Sequence, residues 1–236
     1  MPPSIDTEPQ LSILFVGNHL SDSTGIHSVS EGISARLSMA GVQTRLTSRK
    51  LGRFARLLDM LATIWSYRHQ YGLAVVDVYS GNAFLWAEAS CVLLDLLHKP
   101  YILVLHGGNL PIFSQRHPRR VKRLLSRADH VSVPSRYLLD RMHNYRADIS
   151  LIPNPIDLAQ YPFRLRSQIS PKIAWLRSFH SIYNPCLVPP VIVLLRQQYP
   201  DAQITMFGPD KGDGSMQAMC ALAEKMGVRD AIHIPG

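Results

Sequence analysis

Apolar residues along the chain follow two rhythms that take turns. Short, nearly continuous apolar runs occur at 11–16 (LSILFV), 73–79 (LAVVDVY), 101–107 (YILVLHG), 130–134 (HVSVP) and 149–153 (ISLIP). Stretches with helical spacing separate them, and the less apolar VQTRLTS at 42–48 reads as a further strand. Strands of this kind alternating with helices predict parallel sheets covered on both faces. The helix after the first strand is announced by a capping box, Ser28 with Glu31 three residues on. Its expected packing residues are Val29, Ile33, Leu37 and Ala40, and Gly41 stops it. The next helix carries Leu57, Leu58, Leu61, Ile64 and Trp65, and another spans roughly 83–97. A short helix is expected around 138–142.

The rhythm breaks at 154–171, where Pro155, Pro162 and Pro171 sit among polar residues without a sustained period. It resumes with strands at 172–177 (KIAWLR), 203–208 (QITMFG) and 231–235 (AIHIP), and helices at 187–198 and 215–226. The expected organisation is therefore a leader at 1–10, a first α/β domain at 11–157, a connector at 158–171 and the beginning of a second domain at 172–236. Three strands make a sheet with a bare growing edge, so this second domain is expected to be incomplete.

Composition excludes several classes. A chain of 236 residues with 46% apolar and 18% charged residues has enough apolar material for substantial cores, which argues against disorder. Its first ten residues have no basic and apolar signal regions, and no stretch is a convincing membrane span, so the expected location is cytoplasmic. Cys91, Cys186 and Cys220 stand singly in apolar segments, as buried reduced thiols do. No D-x-D occurs, and no metal site or cofactor is expected.

The net charge of +8 is uneven. Between 118 and 128, Val121, Leu124, Leu125 and Ala128 share one helical side, and Arg119, Arg120, Lys122, Arg123 and Arg127 share the other. The basic side is either a solvated surface or a face that attracts an anionic membrane or a phosphate-bearing substrate. Aromatic residues do not interleave with it, so nucleic acid is not an expected partner.

Ligands of parallel sheets bind where strands end and helix N-termini begin. Three such places stand out: the turn after the first strand with Gly17 and Gly25, the strand end His106-Gly107-Gly108, and the strand end at Arg177 followed by SFHSIYN. The first has neither a dinucleotide-binding nor a P-loop glycine pattern.

At 103–111 (LVLHGGNLP), 128–142 (ADHVSVPSRYLLDRM), 149–163 (ISLIPNPIDLAQYPF) and 203–215 (QITMFGPDKGDGS), the chain resembles the family-four, GT-B type retaining glycosyltransferases. That resemblance implies two Rossmann-like domains, the first holding an acceptor and the second a nucleotide-sugar donor. It implies that His106 contacts the transferred sugar, across a gap from Arg177, which with the turn at Gly25 binds the donor phosphates. The family's lysine after the arginine has no counterpart here. His180 and Tyr183 are possible substitutes, and Gly208 belongs to the same donor-side edge. Its glutamate pair would lie beyond Gly236, so the chain reads as a truncated transferase acting without metal on a glycan or lipid-linked acceptor. Alternatives are an inactive fragment or partner-binding domain, and a nucleotide-sugar epimerase on the same plan.

Overall fold

The computed structural model describes residues 11–24, 27–165, 167 and 170–235. They fall into two compact units divided between Gln160 and Tyr161.

In the first unit the elements alternate as β1 (Ser12–Val16), α1 (Ser21–Thr24), α2 (Val29–Met39), β2 (Gln43–Thr47), α3 (Arg53–Ser66), β3 (Leu73–Val78), α4 (Ala83–Leu96), β4 (Tyr101–Leu105), α5 (Leu110–Arg116), α6 (Pro118–Arg127), β5 (His130–Val133), α7 (Arg136–Met142) and β6 (Ile149–Leu151). The strands form one sheet in the order β2-β1-β3-β4-β5-β6, every pair parallel. The chain runs from β1 outward to β2 and then returns to the far side of β1 for β3. The strand order therefore reverses at β1 and β3, and such a reversal opens a crevice at the carboxyl ends of the strands.

Alternation along the strands sorts the two sheet faces. Leu14, Val16, Ala74, Val76, Val78, Leu103, Leu105, Val131 and Val133 all point to one side, where α3 to α7 cover them with side chains such as Ile64, Phe84, Leu94, Leu125 and Met142. Burying each such side chain stabilises by roughly 1.5–3 kcal/mol. The opposite face is less covered than expected. Ile13 and Phe15 are buried there, but Val75, Ile102 and Val104 are only half-buried.

The helix on that second face also departs from the expected packing. The capping box of α2 forms as read, with the Ser28 side chain accepting from the Glu31 N–H and the Glu31 carboxylate accepting from the Ser28 N–H. Yet its buried residues are Ser30, Glu31 and Ser34, while Val29, Ile33 and Leu37 are half-buried and Ala40 is exposed. Polar partners in the sheet region explain the choice: Ser30 bonds Asp77, and Ser34 bonds the Thr44 hydroxyl at 2.7 Å. In α3 the buried stripe is Arg56, Met60 and Ile64, leaving Leu58 and Trp65 exposed. Helix α5, preceded by Gly107 in the left-handed region at φ +86°, was hidden from the periodicity by its seven-residue length.

The second unit contains β7 (Lys172–Leu176), short 3-10 turns at Ser181–Tyr183 and Pro185–Leu187, α8 (Val188–Arg196), β8 (Gln203–Phe207), α9 (Ser215–Lys225), a 3-10 turn at Arg229–Ala231 and β9 (Ile232–His233). Its parallel sheet runs β7-β8-β9. Phe179, Ile192, Met206 and Met219 are fully enclosed in a separate core. Of the three cysteines only Cys91 is buried; Cys186 and Cys220 are half-buried, because the second core is smaller and shields its periphery less. Among the described residues no helix is long and apolar enough to cross a membrane.

Candidate functional site at the carboxyl ends of the first sheet

The reversal of strand order brings four polar side chains together. Asp77 lies near the end of β3, in register with Val104 of β4. His106 follows two residues after Val104, so both side chains fall on the same sheet face as diagonal neighbours. His106 Nε2 stands 3.0 Å from Asp77 Oδ1. From α2, the Ser30 hydroxyl donates to both Asp77 oxygens at 2.7 and 2.8 Å. Tyr79 stacks on the imidazole with ring centroids 4.8 Å apart. Asp77, Ser30 and His106 are all buried, so each depends on the others for hydrogen bonding. Burial and the nearby Asp77 charge push the Tyr79 phenol up to about 12, which keeps it neutral at physiological pH.

The backbone of the first turn serves this carboxylate. A Cβ at Gly17 would run into the Asp77 side chain. Gly17 therefore makes room for Asp77, whereas the family resemblance had assigned donor phosphates to this turn at Gly25. Gly25 itself lies outside the described residues. His19, two residues further, is buried with neither ring nitrogen hydrogen-bonded among the described residues. Burial lowers its pKa, against the opposing pull of the Asp77 and Glu31 charges.

His106 is where the strand-end pattern placed it, and its main-chain N–H donates to the Val78 carbonyl. The two following glycines have open space where a Cβ would stand. They leave room beside the imidazole, and Gly107 also supplies the positive φ that starts α5.

The basic helix is less available than its pattern indicated. Arg120 holds Glu88 of α4 through two nitrogens, with Nε at 3.1 Å, and Arg127 pairs with Asp95 at 3.0 Å. Only Arg119, Lys122 and Arg123 remain fully exposed without a carboxylate partner among the described residues. The acidic positions of α4 decided this, and the period of α6 alone does not reveal them.

In the second unit, Arg177 sits exposed just past β7, and its N–H donates to the Phe207 carbonyl. Its guanidinium lies 5.4 Å from the centre of the Tyr183 ring. Gly208, at φ +150°, passes so close to the Arg177 carbonyl that any Cβ would collide with it. His180 is committed locally: Nδ1 accepts from the Ile182 N–H at 3.1 Å. Asp213 accepts from the N–H groups of Ser181 and Ser215, at 2.7 and 3.1 Å. The Ser215 side chain, together with these N–H groups, holds its carboxyl well below the usual range.

Asp77, Ser30, Tyr79 and Arg56 were missed from the sequence. One signal was available for Asp77: a lone carboxylate inside LAVVDVY is costly unless it is paired.

A model described as Glycosyltransferase Family 4 matches residues 27–160. No curated protein matches in sequence. Among solved structures, Anabaena HepE in complex with UDP and glucose is similar, with a TM-score of 0.63 and 14% identity over 96% of this chain and 69% of that one. A glycosyltransferase from Rickettsia africae gives a TM-score of 0.62 and 13% identity, covering 97% and 69%. The catalytic domain of starch synthase IV from Arabidopsis thaliana, bound to ADP and acarbose, gives 0.61 and 8%, covering 96% and 74%. At such identities the likeness is one of fold, the two-sheet Rossmann-like GT-B plan.

Proposed function

Since this chain belongs to Glycosyltransferase Family 4, we propose that it moves a sugar from a nucleotide-sugar donor to an acceptor hydroxyl, with retention at the anomeric carbon and without a metal ion. The bond between the anomeric carbon and the phosphate oxygen breaks, and its electron pair leaves with the nucleoside diphosphate. A bond to the acceptor oxygen forms on the same face, and the hydroxyl proton passes to the departing phosphate.

The observation that carries this reading is the buried Asp77–His106 pair at the strand-order reversal, inside the span that matches the family. Asp77 fixes the imidazole through Nε2, which directs Nδ1 as the remaining polar atom of the ring. A ring held this way positions a sugar hydroxyl without having to reorganise. Negative charge developing on the leaving diphosphate falls to Arg177, an exposed cation not committed to an ion pair among the described residues. Tyr183 is its platform through the ring face, and Gly208 keeps the strand ends close enough for that arrangement. UDP in HepE and ADP in starch synthase IV support a nucleoside diphosphate as the leaving group. The acceptor is a glycan or a lipid-linked saccharide, and the exposed Arg119, Lys122 and Arg123 favour an anionic surface near it. Family membership favours transfer over epimerisation.

The test is nucleoside diphosphate release by the full chain from UDP- and ADP-sugars, with and without saccharide acceptors. Acceptor-dependent release that drops in Arg177→Gln, with nucleotide affinity down about tenfold, is expected from the loss of a charge-assisted contact. Epimerised sugar without an acceptor, or nucleotide binding indifferent to Arg177, would overturn it.

A further inference from the structure

Beside the Asp77–His106 pair lies a cavity of about 490 Å³, lined by Asn18, Arg53, Arg56, Tyr79, Asn82, Ala83 and Trp86. Two of these residues are arginines and none is an acid. Arg53 is exposed at the start of α3, but Arg56 retains only 8% exposure. A buried cation normally meets a carboxylate, because its desolvation is otherwise uncompensated. Arg56 meets none among the described residues. Its Nε–H donates to the Lys50 carbonyl at 2.8 Å, one Nη to the Leu51 carbonyl at 2.8 Å and the other to Asn18 Oδ1 at 3.3 Å. A guanidinium carries five N–H donors, so each terminal nitrogen keeps one. The group also lies over the Trp86 ring, at 5.3 Å from its centre. Burial, with the neighbouring Arg53 charge adding to it, lowers even this arginine's pKa. Three oxygens and the Trp86 ring face offset part of the cost of burying this charge, and no carboxylate among the described residues offsets the rest.

We propose that this cavity binds an oxyanion carried by the acceptor sugar, a phosphate or a carboxylate, held by Arg56 and Arg53. The amides of Asn18 and Asn82 and the ring walls of Tyr79 and Trp86 suit the hydroxylated ring that bears it. The inference rests on the transferase reading for the word acceptor, and on the charge of the cavity for the rest. Tyr79 lines the cavity and stacks on the His106 imidazole, and this shared wall gives the anion a role: it anchors the acceptor in register with the end of β4.

Calorimetric titration of the full chain with glucose 6-phosphate, glucuronate and glucose tests the charge requirement. One or both anions bind at least about tenfold tighter than glucose, and the preferred one separates phosphate from carboxylate. The exposed Arg53→Gln weakens that binding several-fold without altering the melting temperature. Arg56→Lys, which keeps the charge but loses the fork, weakens it further. Equal binding of glucose, no binding of either anion, or affinities unchanged in both variants would overturn the proposal. So would displacement of the sugar phosphate by UDP, which would give the arginines to the donor. Arginine-dependent anion binding in a chain that binds no nucleotide would leave the oxyanion site standing and remove the transferase reading instead.

Discussion

The first sheet ends in side chains that are buried and mutually bonded, and the second ends in side chains that are exposed and shaped by the backbone. Asp77 engages Ser30 and His106 away from solvent, whereas Arg177 stands in the open and touches the face of Tyr183. Both ends also require a glycine, for different reasons: Gly17 admits a carboxylate, and Gly208 admits a neighbouring carbonyl. The comparison teaches where each region is vulnerable. Removing a partner from the first leaves buried polar groups unsatisfied, while in the second the cost is felt in backbone geometry or in ligand contact.

Asp77→Ala should break the contrast most severely. Loss of the shared acceptor frees the imidazole and orphans Ser30, and turnover should fall about 10²–10³-fold, the range for losing one preorganised polar contact. Steady-state assays beside the milder Asp77→Asn check it; unchanged turnover in both would show that His106 needs no orientation.

Gly208→Ala tests the second region by its backbone. The collision with the Arg177 carbonyl and the positive φ should cost about 1–3 kcal/mol, read as a lower thermal midpoint. An unchanged midpoint would show that the turn yields freely.

A pH titration sharpens the comparison from the buried side. Burial holds the His19 pKa below its ordinary 6.5, so the unfolded chain takes up this proton more readily than the folded one. The His19 contribution is intact above pH 6.5 and is lost as pH falls below it, by at most about 1.4 kcal/mol per pH unit. His19→Gln should flatten that part of the stability profile between neutral pH and pH 5. A slope identical to that of the unaltered chain would assign the effect elsewhere.

The surface effect is one of binding at low salt and leaves both strand ends untouched. Replacing Arg119, Lys122 and Arg123 together with Gln should reduce co-sedimentation with anionic vesicles by roughly 1 kcal/mol per charge at low salt, and the difference should vanish as salt is raised. Adding Arg120 as a fourth replacement would confuse the result, since that side chain is engaged with Glu88. Binding insensitive to salt or to lipid charge would remove the membrane reading.

Much of the fold was legible because parallel strands and their helices announce themselves by period, and the capping box at Ser28 and the stop at Gly41 are local chemistry. His106 and Arg177 were legible as polar residues closing apolar strands. The face of α2 was not, since a helix buries serines only when another segment supplies their partners, here Asp77 and Thr44. The pairing of Arg120 and Arg127 was invisible for the same reason: the carboxylates that engage them belong to α4, more than thirty residues earlier.

Sequence by itself determined the alternation of strands and helices and the residue types available at the strand ends, because these depend on hydrophobic spacing and local backbone preference. Tertiary structure alone decided that Asp77 meets His106, that Gly17 serves a carboxylate, and that Arg56 is buried without an acid beside it among the described residues. Those outcomes come from the strand order β2-β1-β3-β4, which makes neighbours of groups far apart in the chain, and no local pattern encodes the company a side chain will keep.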